Sequence, residues 1–198
     1  MSVAGLLLAA GAGRRMGTPK ALVRDQRGVP FVDRAIGRLL DGGCERVTVV
    51  LGAAADDVRA LLDVAGWCDD DAVDVVVADD WAEGMGASLR AGLRALDAAP
   101  REVTAVLVSL VDLPDVDEAV AARVLDRGSG TDVLARASYD GTPGHPVLLG
   151  RAHWAGIADT ASGDRGARDY LRDRDVVDVE CGDLATGRDV DTPDQIGP

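Results

Sequence analysis

The stretch LLLAAGAGRRMGTPKAL, residues 6–22, runs from an apolar segment directly into a glycine-rich, basic turn. Its aliphatic start predicts a strand that is buried on both faces. The turn contains Gly11, Gly13 and Gly17, and glycines allow backbone N–H groups to approach an anion closely. It ends at Lys20, the one lysine among 21 basic residues. The stretch therefore predicts a phosphate-binding loop after the first strand of an α/β sheet, with a plain solvated turn as the alternative.

Outward from this loop, aliphatic runs alternate with segments of helical period as far as residue 130. The runs at residues 46–52, 73–78 and 103–110 predict further buried strands with helices between them. This pattern predicts a doubly wound, mostly parallel Rossmann-like sheet with helices on both faces. The later segment DVLARASYDGTPGHPVLLG predicts a β-hairpin elaboration with a Gly/Pro-rich loop. With no linker or repeat, we expect one domain over residues 1–198.

The formal net charge of −13 disfavours nucleic acid and anionic membrane surfaces as partners. A small anionic ligand would need a local group of cations, which the basic residues between positions 14 and 27 provide. The three cysteines have no paired spacing, so they predict neither a zinc site nor a disulfide framework. No apolar run approaches the roughly 20 residues of a membrane span. These features predict a cytoplasmic protein.

Two common phosphate-binding loops do not fit the stretch. A P-loop requires Ser or Thr directly after its lysine, where this chain has Ala21. The dinucleotide fingerprint requires a third glycine, where this chain has Met16.

The segment LAAGAGRRMGTPK instead resembles the opening signature of the molybdopterin nucleotidylyltransferases, the MobA-like NTP transferases, L-A-[AG]-G-x-[SG]-x-R-M-G-x-x-K. In that family this loop wraps a nucleoside triphosphate, and the resemblance implies the nucleotide-diphospho-sugar transferase type of fold. It also implies that Arg15 and Lys20 contact the phosphates and act in catalysis. The matching positions are Leu8, Ala9, Ala10, Gly11, Gly13, Arg15, Met16, Gly17 and Lys20.

Two further segments extend the resemblance. DDWAEGMGASLRAGL is similar to the family's G-x-x-x-S segment, which places Ser88 near the base and ribose. LVSLVDLPDV is similar to the strand end that usually reads G-D-x-P, which implies that Asp112 is a catalytic metal ligand although Val111 replaces the glycine. The alternative for Asp112 is a cap on the helix after Pro114.

The closing DVDTP offers Asp189 and Asp191 as a second metal ligand, and the resemblance favours Asp191. A plain turn is the alternative there. The segments LAAG, GTPGHPVLL, SGDRGAR and DVDTPDQI resemble the CTP:molybdopterin cytidylyltransferase branch, which implies that His145 faces the second substrate and that Arg168, with Arg165, holds its phosphate. The alternatives are a structural histidine in a loop and arginines on a helix surface.

The implied reaction transfers CMP from CTP to a phosphorylated acceptor, molybdopterin, and releases pyrophosphate. Such a reaction requires no side-chain nucleophile, since a phosphate of the acceptor attacks the α-phosphorus. Catalysis then consists of positioning and positive charge, for which Mg²⁺ with one or two carboxylates is suited. The resemblance also implies a transient contact with a molybdoenzyme or its chaperone.

Two alternatives stay open. One is a nucleotidylyltransferase for a sugar or polyol phosphate, and the other is a non-catalytic nucleotide-binding protein that inserts a cofactor.

Overall fold

One sheet of seven strands organises the computed structural model, which describes residues 2–98 and 103–196. Its strand order is β3-β2-β1-β4-β6-β5-β7. The strands are β1 Ser2–Leu8, β2 Arg46–Leu51, β3 Val73–Val77, β4 Val103–Leu110, β5 Leu134–Tyr139, β6 Thr142–Gly150 and β7 Val177–Glu180. The α-helices are α1 Phe31–Asp41, α2 Ala55–Val64, α3 Met85–Asp97, α4 Glu118–Leu125, α5 Trp154–Thr160 and α6 Arg168–Leu171.

Strands β3, β2, β1 and β4 are mutually parallel, with β1 between β2 and β4. Leu8, the last residue of β1, pairs with Val50 on one side and with Leu110 on the other. The carboxyl ends of these three strands are therefore level. Ligands of open α/β sheets bind beyond such ends, so the segments that follow β1 and β4 share one site.

The second half of the sheet departs from the parallel pattern. Strand β6 is antiparallel to both β4 and β5, which confirms the predicted hairpin. Its connection is shorter than the sequence predicted, because Asp140 and Gly141 turn the chain with φ of 51° and 76°. Two successive positive φ values are typical of a tight two-residue hairpin turn. The segment TPGHP, predicted as loop, consequently lies within β6 and places His145 on a strand.

Helices cover both faces of the sheet, as predicted. Along β1, Leu7 faces one core cluster, and Leu6 and Leu8 face the other. A fully buried aliphatic side chain stabilises the folded state by about 1.5–3 kcal/mol relative to the same side chain in water. The alternation along β1 therefore stabilises the packing of helices against both faces of the sheet. None of the helices in residues 2–98 and 103–196 combines the length and apolarity required to cross a bilayer.

Candidate active site

The loop between β1 and the short 3₁₀ turn Lys20–Leu22 folds back on itself. Gly13 adopts φ of +58°, and a β-carbon at this position would lie 1.9 Å from the carbonyl oxygen of Thr18. Only glycine is compatible with this approach. The N–H of Gly17 donates to the carbonyl of Gly13 at 2.8 Å, which closes the loop and directs Lys20 toward the sheet.

The Lys20 ammonium lies between two carboxylates. Its Nζ donates to Oδ2 of Asp112 at 2.7 Å and to Oδ1 of Asp191 at 2.6 Å. Burial disfavours the charged ammonium, but the hydrogen bonds and charges of the two carboxylates outweigh that effect and raise the pKa of Lys20 above its ordinary value. The same ammonium lowers the pKa of Asp191. A compact cation with three donors suits this bridge, whereas a planar guanidinium is bulkier.

Asp112 reaches this position two residues beyond the end of β4. It does not cap the following helix, because Asp117 accepts from the N–H groups of Ala119 and Val120 at 3.0 and 3.2 Å. The Oδ1 atom of Asp112 is buried and has no hydrogen-bond partner. Buried polar atoms without partners are rare, and a carboxylate oxygen in this state fits a hard cation such as Mg²⁺.

Asp191 is held beside Asp112 by the backbone. The N–H of Val190, whose side chain is buried, donates to the carbonyl of Asp112 at 3.0 Å. The side-chain oxygen of Gln195 accepts from the N–H groups of Asp191 and Thr192 at 2.7 and 3.0 Å.

The two aspartates of DVD differ in their contacts. Asp191 forms ion pairs with Lys20 and with Arg15. Asp189 faces the same cleft and makes no ion pair within the described part of the chain.

A cleft of about 740 Å³ opens over these residues. Most residues that the signature implicates line it, and they are Leu8, Ala10, Gly11, Gly13, Arg15, Lys20, Ser88, Asp112 and Asp191. Ala9 does not, since it is buried in a core cluster and its N–H donates to Val50. Three basic side chains and five acidic side chains line the cleft; they are Arg14, Arg15 and Lys20 against Glu83, Asp112, Asp164, Asp189 and Asp191.

The acidic lining is dispersed. Within residues 2–98 and 103–196, no group of three or more His, Cys, Asp or Glu could hold a metal ion. Mg²⁺ is commonly bound by one or two carboxylates together with phosphates and water, so a larger protein cluster is not a requirement for it.

A second cavity of about 150 Å³ adjoins the cleft and shares Leu8, Met85 and Asp164 with it. His145 and Arg168 both line this cavity, although they lie on β6 and α6. Burial, with the charge of Arg168, lowers the pKa of His145 to about 4, so its ring is neutral at neutral pH. Much of the remaining lining is aliphatic, and consists of Leu8, Leu89, Val108, Val147, Leu149 and Leu171.

Sequence reasoning missed three residues of this region. Trp81 lines the cleft, and Arg136 lines the second cavity. Arg90 donates to Asp80 and Glu83, and to the carbonyl of Ala161, each at 2.8 Å. It thereby joins the segment before α3 to the segment after α5. The only signal for this contact in the sequence is the pair of acidic residues, Asp80 and Glu83, on either side of a tryptophan. That pair does not indicate the carbonyl of Ala161 as a further partner of Arg90.

Comparison with known proteins identifies several similar chains. A protein of Paenarthrobacter nicotinovorans named nicotine blue oxidoreductase is 39% identical over 203 residues, which cover 98% of this chain and 94% of that protein. The crystal structure of Rv0371c from Mycobacterium tuberculosis H37Rv matches with a TM-score of 0.77 and 28% identity, over 97% of this chain and 94% of that one.

A manganese complex of Rv0371c matches with a TM-score of 0.74 and 26% identity, over 96% of this chain and 94% of that one. The family model for the MobA-like NTP transferase domain matches residues 5–179. This match covers most of the chain and confirms the resemblance read from the first loop. The chain belongs to the family of MobA-like NTP transferase domains.

Proposed function

We propose that this protein, as one domain over residues 1–198, transfers CMP from CTP to a phosphorylated acceptor and releases pyrophosphate. The acceptor that we propose is the molybdopterin cofactor. The observation that carries the proposal is the bridge from Lys20 to Asp112 and Asp191 at the floor of the cleft. It brings the one lysine of the glycine-rich loop to two carboxylates from distant parts of the chain.

The charge of the cleft supports a requirement for a divalent cation. Five carboxylates against three basic side chains leave the lining net negative. A triphosphate would be repelled by such a surface unless a cation entered with it. Asp112 and Asp191 are the residues that would hold Mg²⁺, and the buried free oxygen of Asp112 fits that role. When bound, the ion would neutralise charge that develops on the phosphates.

The chain's own residues supply positioning and charge. The backbone of the Gly11–Gly13 segment faces the cleft, so its N–H groups are available to a phosphate. Arg14, Arg15 and Lys20 provide positive charge along the same wall. An acceptor phosphate oxygen then attacks the α-phosphorus of the nucleotide, and the bond from that phosphorus to the β-phosphate bridging oxygen breaks. The leaving group is pyrophosphate, which the same basic residues stabilise.

The second cavity supports an acceptor with a flat, partly apolar body. Its aliphatic side chains suit such a body better than they suit a fully hydroxylated sugar or polyol. Arg136 and Arg168 lie at the same cavity and could hold the acceptor's phosphate. The proposed preference for CTP rests on Ala10, which lines the cleft and carries a methyl group that a glycine there would lack.

A second candidate function is an oxidoreductase activity. It is favoured by the 39% identity to nicotine blue oxidoreductase over nearly the whole of both chains. Cys44, Cys68 and Cys181 form no disulfide, and none of them lines the cleft. A reaction of this kind in the cleft would therefore use a soluble reductant, such as a reduced nicotinamide dinucleotide.

One set of assays on a single preparation separates these functions. Pyrophosphate release is measured with CTP, GTP, ATP and UTP against phosphorylated pterin and polyol acceptors, in Mg²⁺ and in EDTA. Oxidation of a reduced nicotinamide dinucleotide in the presence of a planar dye is followed in parallel. We expect pyrophosphate release only with Mg²⁺ and an acceptor. Nucleotide binding without either reaction would instead favour the non-catalytic cofactor-insertion protein.

Variants test the assignment of the carboxylates. Asp112→Asn and Asp191→Asn should lose Mg²⁺-dependent release, whereas Asp189→Asn should retain far more of it. The exposed Asp63 on α2 provides a surface control, as Asp63→Asn. Equal activity of Asp191→Asn and the unmodified protein would contradict the proposed ligand pair.

A further inference from the structure

Trp81 lines the cleft next to Ala10, one of the first residues of the glycine-rich loop. It begins the short 3₁₀ turn Trp81–Glu83 between β3 and α3 and is half-buried. A β-carbon at Gly52 would lie 2.6 Å from Cβ and Cγ of Trp81 and 2.8 Å from Cβ of Ala10. The base of the Trp81 side chain therefore packs over the backbone at Gly52, just after β2, and next to Ala10, two residues beyond β1. Only a glycine at position 52 permits this approach.

The other two tryptophans are anchored in ways that Trp81 is not. The indole N–H of Trp154 donates to the carbonyl of Leu149 at 2.9 Å, and that of Trp67 donates to Asp33 at 2.6 Å. Neither of them lines the cleft. The indole N–H of Trp81 has no hydrogen-bond partner in residues 2–98 and 103–196, and Trp81 is the one aromatic residue of that part that lines the cleft. Contacts within the protein therefore account for Trp67 and Trp154, whereas the half-buried Trp81 keeps an exposed part at the cleft.

The backbone that carries Trp81 is fixed. Arg90 binds the carboxylates of Asp80 and Glu83, which lie on either side of Trp81, and it also binds the carbonyl of Ala161. The N–H of Trp81 donates to the carbonyl of Ala78, and the N–H of Gly84 donates to the carbonyl of Trp81. An aromatic ring on a rigid turn loses little conformational freedom when a ligand packs against it.

We infer that Trp81 is the stacking platform for the nucleobase, an inference that rests on the proposed nucleotide-binding function. The phosphates belong at the basic side of the cleft, near Arg15 and Lys20. The base belongs beside Ala10 and Trp81, which line the cleft and meet at Gly52. Every base has a flat π-face, and stacking on an aromatic side chain adds affinity without requiring a hydrogen-bond pattern. Trp81 therefore supplies affinity for the base, whereas the choice between bases depends on its other neighbours.

Two ligands distinguish a base platform from a merely structural tryptophan. CTP carries a base, while inorganic tripolyphosphate has similar phosphates and no base. Both are titrated in Mg²⁺ without an acceptor into the full-length protein and into Trp81→Ala, Trp81→Phe and Trp67→Phe. Affinities are measured by calorimetry, and tryptophan fluorescence is followed in the same titrations. Circular dichroism confirms that each variant is folded.

In Trp81→Ala we expect CTP to bind roughly tenfold to a hundredfold more weakly, while tripolyphosphate binds unchanged. Trp81→Phe should retain most of the affinity for CTP and lose the fluorescence quenching that CTP causes. Trp67→Phe should retain both.

Equal CTP affinity in Trp81→Ala and the unmodified protein would overturn the platform. An equal loss of affinity for CTP and for tripolyphosphate would also overturn it, because Trp81 would then maintain the shape of the cleft without a specific contact to the base. If the unmodified protein binds tripolyphosphate but no nucleoside triphosphate, both the platform and the proposed function are wrong.

Discussion

Replacing Lys20 with methionine tests the central cluster of the site, because it removes the ammonium and keeps an unbranched side chain that is one atom shorter. Removing one partner of a fully buried ion pair costs about 3–5 kcal/mol, whereas exposed pairs contribute less than about 1 kcal/mol. The side chains of Lys20, Asp112 and Asp191 are 15%, 17% and 23% exposed, which is between these limits. The variant would also leave two carboxylates facing each other without a cation. We therefore expect Lys20→Met to lower the free energy of unfolding by about 1–3 kcal/mol at pH 7.

For a chain of this size, such a loss corresponds to a decrease in Tm of about 2–12 °C. Thermal unfolding of EDTA-treated protein, followed by circular dichroism, measures it. A divalent cation should then be more stabilising in Lys20→Met than in the unmodified protein, because no ammonium competes for the two carboxylates. Binding at a hundredfold excess over Kd adds about 2.7 kcal/mol, so millimolar Mg²⁺ should recover much of the loss.

The double variant Lys20→Met/Asp112→Asn is the control, since it removes a ligand and should show a much smaller response to Mg²⁺. In activity, Lys20→Met should lower nucleotidyl transfer by about 10²–10³-fold, and Lys20→Arg should restore little of it. Our reasoning would be refuted by a Lys20→Met protein that is as stable as the unmodified one and responds no more strongly to Mg²⁺.

Three further predictions follow from other parts of the site. The pKa of His145 falls from 6.5 to about 4 on folding, so between these pH values the unfolded chain binds a proton that the folded chain does not, and stability should fall as the pH drops through this window. His145→Gln should therefore flatten the curve of Tm against pH there, and identical curves for the variant and the unmodified protein would contradict this prediction. In calorimetric titrations, Ala10→Gly should reduce the preference for CTP over GTP by about 1–3 kcal/mol without reversing it. Tighter binding of GTP than of CTP by the unmodified protein would argue against the cytidylyl branch. Arg90→Gln should lower the free energy of unfolding by about 1–3 kcal/mol and raise the KM for the nucleotide more than it lowers kcat, whereas the exposed Arg94→Gln on the same helix should do neither.

The sequence predicted the parallel half of the sheet well because its signals are local. Aliphatic runs such as VTAVLVSL have the period and length of buried strands, and the segments between them have helical period. The hairpin of β5 and β6 was also predicted. The proline-bearing segment TPGHP suggested a loop, but it belongs to β6. The turn lies just before it, at Asp140 and Gly141, which supply the two positive φ values.

Contacts between distant residues were beyond such reasoning. The resemblance led us to expect that Lys20 would contact a phosphate, and it said nothing about a contact between Lys20 and the two aspartates. In the structure Lys20 neutralises both Asp112 and Asp191, which are 92 and 171 residues away along the chain. No local period encodes this bridge, nor the packing of Trp81 over Gly52. Both depend on strand order, which places the ends of β1, β2 and β4 side by side.

The hydrogen bond from Val190 to Asp112, with the Lys20 bridge beside it, has a consequence for the order of events during synthesis. Lys20 leaves the ribosome early, and Asp191 follows 171 residues later. A nascent chain can pair β1, β2 and β4 before the segment around residue 190 exists, since domains assemble as their elements emerge. Until then, Lys20 and Asp112 can meet, but the second carboxylate is missing. Competence for the reaction would therefore appear late and abruptly during translation, well after most of the sheet is in place.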